Sequence, residues 1–189
     1  MLLMILFHII YEMSNFLARK AVADDAYWIA YVNAHTRYTT YKWLMPEKLL
    51  QTRIDTIEER AAKVRDSILE GKEYLVVENL DTKDIVWMSI YWNSRNDKYP
   101  DSWEIYAIYV LKDYQKLWLG KKLFFAGIEC LIEKWYNDMI INVLDWNPTI
   151  NFYKKYGGVV VWEWTFQAGK NLMKEKIMFF ENIADILKM

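Results

Sequence analysis

Residues 103–122 read WEIYAIYVLKDYQKLWLGKK and pass from one kind of secondary structure to another. Trp103 to Val110 is a run of aromatic and β-branched residues and is read as a strand. From Leu119 the apolar residues recur at helical spacing to Tyr136, so a helix follows. Met139 to Leu144 is again a strand, and Pro148 to Tyr156 a short helix opened by Asn147 as its cap. Strand, helix, strand in this order implies a right-handed parallel crossover.

The flanks complete the pattern. Phe16 to Val22 is read as a strand, and Asp24 as the N-cap of a helix running to about Lys42. A single second helix is expected from Pro46, through Leu49, Leu50, Ile54, Ile57, Ala61, Val64 and Ile68, to a stop at Gly71. Glu73 to Glu78 and Ile85 to Trp92 form a hairpin across the polar turn 79–84. Val159 to Gln167 and Leu172 to Phe180 form another, joined through Gly169. The fold class that follows is a three-layer α/β (α+β) arrangement: about seven strands, mostly antiparallel with one parallel crossover, and helices on both faces.

With 189 residues, 54% hydrophobic and 26% charged, the chain has material for one sizeable core, and residues 13–189 are read as a single domain. Residues 1–12 are an apolar extension, too short to span a bilayer and lacking the basic start and small-residue cleavage site of a secretory signal. We expect no membrane association, a cytoplasmic location, and a monomer or homodimer. Lys plus Arg number 24 and Asp plus Glu 25, so nothing global draws the chain to nucleic acid. The lone Cys130 and the two histidines, His8 and His35, do not make a metal site of the usual kind, and none is expected. Cys130 is read as a small core residue and His35 as structural or pocket-lining.

Charge is instead concentrated locally. Lys112 to Lys122 holds four lysines against Asp113, and Lys121 and Lys122 fall in the first turn of a helix, where the macrodipole disfavours cations. A bound phosphate would remove that conflict, with unpaired N–H groups at the helix start and Gly120 permitting close approach. The plain alternative is that the lysines reach away into water.

Three segments in order, Glu104 to Val110, Tyr114-Gln115 to Gly120-Lys121-Lys122-Leu123, and Asn147 to Gly158, resemble the core of the GNAT superfamily of acyl-CoA N-acyltransferases. Ala18 to Ala21 ahead of Asp24-Asp25, and Thr36-Arg37 to Tyr41 with Leu44-Met45-Pro46, extend the resemblance over about residues 16–180. It implies an acetyl-CoA-dependent acetyltransferase acting by direct transfer on a primary amine carried by a small molecule or peptide. Gln115, Lys116, Leu117, Trp118, Leu119, Gly120 and Lys121 would form the pyrophosphate loop. The backbone of Ile108, Tyr109 and Val110 would pair with the pantetheine arm, and Asn147 would contact it. Trp118 stands where the family pattern has its central glycine. Either the loop keeps a negative φ there and the indole packs against the cofactor or the core, or the phosphates are held poorly and the chain is a degenerate relative. Among catalytic groups, Tyr153 matches the family's general acid and Glu104 the position of its general base. For Glu104 a half-exposed strand glutamate facing solvent or pairing with a neighbour is the competing reading. A non-catalytic acyl-CoA sensor or interaction module of the same fold is the alternative function.

Overall fold

A computed structural model of the chain describes residues 15–115, 119–168 and 171–189. The expectations for residues 1–12, for Lys116, Leu117 and Trp118, and for the turn at Gly169 lie outside the described residues. The elements are β1 (Phe16–Lys20), a 3-10 turn (Ala23–Asp25), α1 (Ala26–Tyr41), α2 (Glu47–Asp55), α3 (Ile57–Leu69), β2 (Glu73–Asn79), β3 (Ile85–Asn93) and β4 (Trp103–Val110). A second 3-10 turn (Lys112–Tyr114) leads to α4 (Leu119–Glu133), β5 (Met139–Leu144), α5 (Thr149–Lys155), β6 (Val159–Ala168), β7 (Asn171–Phe180) and α6 (Ile183–Ile186).

The strands make one sheet in the order β1-β2-β3-β4-β5-β7-β6. Every neighbouring pair is antiparallel except β4 and β5. β2 shows why the sheet is the middle layer. Tyr74, Leu75, Val76 and Val77 are all buried, Leu75 and Val77 in the cluster with Phe124 and Leu131 of α4, Tyr74 and Val76 in the cluster with Ile29 and Val32 of α1. A strand covered on both faces loses the polar alternation of a surface strand. Phe124 is the hub of the α4 side: its ring lies 5.3–6.0 Å from those of Phe152, Tyr153, Tyr156 and Phe180, which ties α5 to α4 and to the sheet.

Two local expectations are corrected. The helix expected over Pro46 to Gly71 is two, because Thr56 leaves helical geometry at φ −109°, ψ 27°. Its hydroxyl donates to the Thr52 carbonyl at 2.7 Å and accepts from Arg60 Nε at 3.1 Å, so a side chain competes with the backbone at that point. Gly71 does end α3, at φ +95°, in the left-handed region. Asp24 is not the cap of α1, which Asp25 precedes directly; the Asp25 carboxylate makes no bond to an N–H of α1 and instead accepts the Val22 N–H at 2.8 Å, ahead of the 3-10 turn, while Asp24 meets Arg65 at the surface. Burial raises the Asp25 pKa, but the hydrogen bonds from Arg19 and Val22 outweigh it and leave the group below the ordinary aspartate value.

A depressed folded-state pKa contributes stability that is present above the ordinary aspartate pKa and is lost as pH falls through the folded value. Asp25→Asn is therefore expected to lose stability at neutral pH and to flatten the acid limb of the stability curve, read by urea denaturation between pH 3 and pH 7, taken as roughly the carboxylate range and its neutral limit. A Cβ at Gly127 would fall 2.0 Å from the hydroxyl of the buried Tyr91, which donates to the Leu123 carbonyl. Gly127→Ala is expected to cost about 1–3 kcal/mol by the same measurement, as overpacked cores do.

Candidate active site

The central feature of the site is the parting of β4 and β5. The two pair in parallel only at Trp103, Glu104 and Ile105 opposite Met139, Ile140 and Ile141. Beyond Ile105, β4 gains one residue against β3, because Ile90 faces Ala107 while Tyr91 faces Ile105. This bulge at Tyr106 increases the local twist. β4 then continues to Val110 and β5 to Leu144 without pairing each other, and a cleft of about 1640 Å³ opens between them. The Leu111 N–H donates to the Val86 carbonyl on the β3 side, so the two-residue alternation of the strand turns the backbone groups of Ile108 and Val110 toward the cleft. Such an edge offers N–H and C=O groups to an added extended ligand.

Ile108, Tyr109, Val110, Gln115, Gly120, Lys121, Asn147 and Tyr153 all line this one cleft. Gln115 Nε2 donates to the Val110 carbonyl at 3.4 Å, and Lys112, Lys121 and Lys155 stand along the same wall. Lys121 Nζ lies over the rings of Phe125 and Tyr156 at 5.2 and 5.5 Å. The glycine at position 120 has a structural cause of its own: a Cβ there would meet Trp87 Cη2 at 3.2 Å, a contact made from the core side. Asn147 behaves as the expected cap, its Oδ1 accepting from the Thr149 N–H at 3.0 Å and the Thr149 hydroxyl at 2.8 Å. Leu119 opens α4.

The two expected catalytic groups sit differently. Tyr153 is buried on α5 beside Phe124 yet faces the cleft, and desolvation pushes its phenol well above the ordinary value, which keeps the proton on the oxygen. Glu104 is 0% exposed and is not among the residues that line the cleft. Its carboxylate accepts from the Arg95 backbone N–H at 3.0 Å, from Arg95 Nε at 3.2 Å, from Arg95 Nη2, and from Asn142 Nδ2 at 2.9 Å. Of the competing reading, a half-exposed strand glutamate facing solvent or pairing with a neighbour, the exposure does not hold and the pairing does: the neighbour is Arg95. What it does is fasten Arg95, and with it the loop between β3 and β4, against the sheet, where Arg95 to Lys98 line the cleft.

The opposite wall was met in sequence only at Thr36-Arg37 to Tyr41, through the resemblance, and its strand part was not identified. It consists of Arg37 and Tyr41 at the end of α1, Trp146, and the facing strands β6 and β7 through Trp162, Trp164, Phe166, Met173, Glu175 and Ile177. Arg37 Nη1 donates to the Tyr109 hydroxyl at 2.7 Å, and its guanidinium lies 5.1 Å from the Tyr41 ring. The signal was present in the strict alternation Trp162, Trp164, Phe166, but alternation assigns residues to a face without saying that the face looks into a cleft. Cys130 and His35 stand apart from the site. Burial pushes the Cys130 thiol up to about 11, and the His35 ring lies tilted against Tyr31 with centroids 4.1 Å apart, burial lowering its pKa. Among the described residues no group of three or more His, Cys, Asp or Glu is placed to hold a metal, and no helix is long and apolar enough to cross a membrane.

This architecture has close relatives among solved structures. An N-acetyltransferase from Staphylococcus aureus Mu50 superposes with a TM-score of 0.71 at 16% identity, over 88% of this chain and 98% of that one. The PaiA N-acetyltransferase of Thermoplasma acidophilum, in complex with coenzyme A, gives 0.67 at 16% identity over 88% and 98%. Ribosomal-protein-alanine N-acetyltransferase from Brucella melitensis gives 0.68 at 17% identity over 87% and 99%. The chain therefore has the fold of the GNAT N-acetyltransferases. In sequence it is 27% identical over 157 residues to YuaI of Bacillus subtilis (strain 168), an uncharacterized N-acetyltransferase, covering 83% of this chain and 88% of that protein. No family profile matches the chain.

Removing Arg95 would leave the Glu104 carboxylate buried with only a backbone N–H and Asn142 as partners. Arg95→Ala is expected to destabilise the protein by about 3 kcal/mol in urea denaturation, and Arg95→Lys to recover only part of it, because an ammonium does not reproduce the fork of a guanidinium.

Proposed function

We propose that the protein is an acetyl-CoA-dependent N-acetyltransferase acting on a primary amine. The observation that carries the reading is the unpaired edge of β4 from Ile108 to Val110, which runs along a cleft with lysines at one end and a buried tyrosine facing it. The relatives of this fold and sequence that are N-acetyltransferases, one of them holding coenzyme A, support it.

Bound in the cleft, acetyl-CoA would supply an activated thioester. The chain's own groups have four tasks. Ile108 and Val110 bind the pantetheine amides as a strand would and orient the acyl carbonyl toward backbone N–H groups. The start of α4, with Gln115, Gly120 and Lys121, faces the diphosphate, where helix N–H groups and the macrodipole favour an anion. Lys116, Leu117 and Trp118 belong to the same loop in this proposal. Tyr153, held protonated by its apolar surroundings, gives its hydroxyl proton to the departing sulfur. Glu104 acts through Arg95: with its lone pairs already engaged, its suited task is positioning the loop that closes the cleft, rather than taking the amine's proton.

Tyr153→Phe keeps the ring among Phe124, Tyr156 and Phe180 and removes only the proton donor. Calorimetry should give an acetyl-CoA affinity within about twofold of wild type, while thiol release across an amine panel falls about 100-fold, the usual scale of general-acid assistance. Binding without thiol release by the wild-type protein under every amine would point to a sensor, and absence of binding would remove the donor site altogether.

A further inference from the structure

The cleft wall contributed by β7 alternates Met173, Glu175, Ile177, while Lys174 and Lys176 turn to the other face and pair with Glu163 and Asp145. Glu175 is thus one acid on an otherwise apolar inward row. Its strand register places it between Leu144 of β5 and Trp164 of β6. The position is half-buried, and no ion pair joins it to a cation among the described residues. Asp97 is the other carboxylate that lines the cleft, and it lies on the surface loop before β4. The groups that act on Glu175 from neighbouring elements are Arg37 of α1, Arg95 of the loop, Glu104 of β4 and the Trp164 indole, which donates a hydrogen bond to it. Arg95 is already committed to Glu104, while Arg37 donates to the Tyr109 hydroxyl and forms no ion pair with Glu175 among the described residues. Burial raises the carboxyl above its ordinary value, as it does a group awaiting a partner. Aromatic rings complete the compartment: Trp164, Trp146, and Tyr41 set edge-on to Trp146 at 6.1 Å.

A carboxylate at the base of a ring-lined compartment is the arrangement that recognises an ammonium, through a charge-assisted hydrogen bond and cation–π attraction. We infer that Glu175 is the group that receives the acceptor's ammonium and takes its proton, and that the acceptor is a primary amine carried on an apolar or aromatic arm. This rests on the acetyltransferase reading and assigns the base that reading left open. The balance is complete. One ammonium proton passes to the Glu175 carboxylate, the freed lone pair forms the N–C bond, and the C–S bond breaks with its electrons going to sulfur. The second proton that nitrogen loses replaces the one Tyr153 gives to the thiolate, and Glu175 returns its own to water.

The test reads ammonium binding directly. Phenethylamine is titrated into the full chain while the indole N–H signals are followed by NMR, with phenethyl alcohol as a neutral probe of the same shape. In wild type the amine should shift the Trp164 signal and bind about tenfold or more tightly than the alcohol; in Glu175→Gln that preference should vanish, and in Glu175→Asp, which keeps the charge, most of it should return. Calorimetry with acetyl-CoA on the same proteins should show no change. Equal binding of amine and alcohol by wild type overturns the assignment without recourse to any variant. So does equal loss in the Gln and Asp proteins, which would mark a packing effect. Failure of wild type to bind acetyl-CoA while the amine preference holds would instead sink the donor site and leave Glu175 in place.

Discussion

The whole site depends on two parallel strands ceasing to pair after three residues. Backbone groups in a sheet interior are normally satisfied by a neighbouring strand, and leaving them open costs free energy unless water or a ligand takes the place. Here the bulge at Tyr106 turns β4 away from β5, and everything that lines the cleft is arranged around the resulting gap. α4 enters at the open end of β4, α5 at the open end of β5, and the β6–β7 hairpin closes the far side. The lysines, the tyrosine and the ring-lined compartment are placed by these elements.

Holding the gap open requires that its sides be rigid. Phe124 provides this on one side by gathering rings from α5 and β7 around itself, so that Tyr153 is fixed by packing rather than by a loop. On the other side the Glu104–Arg95 pair anchors the β3–β4 loop to the sheet just below the point where the strands part. Buried ion pairs are a poor source of net stability, but they fix geometry when every lone pair is used. That distinction separates two glutamates: Glu104, fully buried behind the cleft, spends its oxygens on structure, while Glu175, half-buried on the cleft wall, joins no ion pair among the described residues.

Much of this was legible in the amino-acid sequence. The strands and α4 start within a residue or two of where alternation and apolar spacing put them, because β2, β3 and β5 carry runs of β-branched and aromatic residues that only a sheet covered on both faces can bury. The GNAT resemblance named Ile108, Tyr109, Val110, Gln115, Gly120, Lys121, Asn147 and Tyr153, all of which line the cleft. The break at Thr56 was missed because the apolar spacing continues through it; a hydroxyl bonding back to Thr52 does not alter that pattern. The full burial of Glu104 and its pairing with Arg95 were not legible for a related reason, since Arg95 lies across a loop whose path no periodicity reveals. The β6–β7 part of the far wall was invisible because it depends on how a distant hairpin docks, and Glu175 reads in sequence as one more charged residue between two lysines.

The glycine at the head of α4 carries a different kind of information. Its missing side chain makes room for the Trp87 indole from β3, thirty-three positions earlier by residue number. These two sites form a steric couple that must exchange bulk together: a smaller ring at 87 would admit an alanine at 120, and neither change alone would be free. Variation at this helix start across related chains should therefore track the size of a core residue one strand over, quite apart from any demand made by a bound anion.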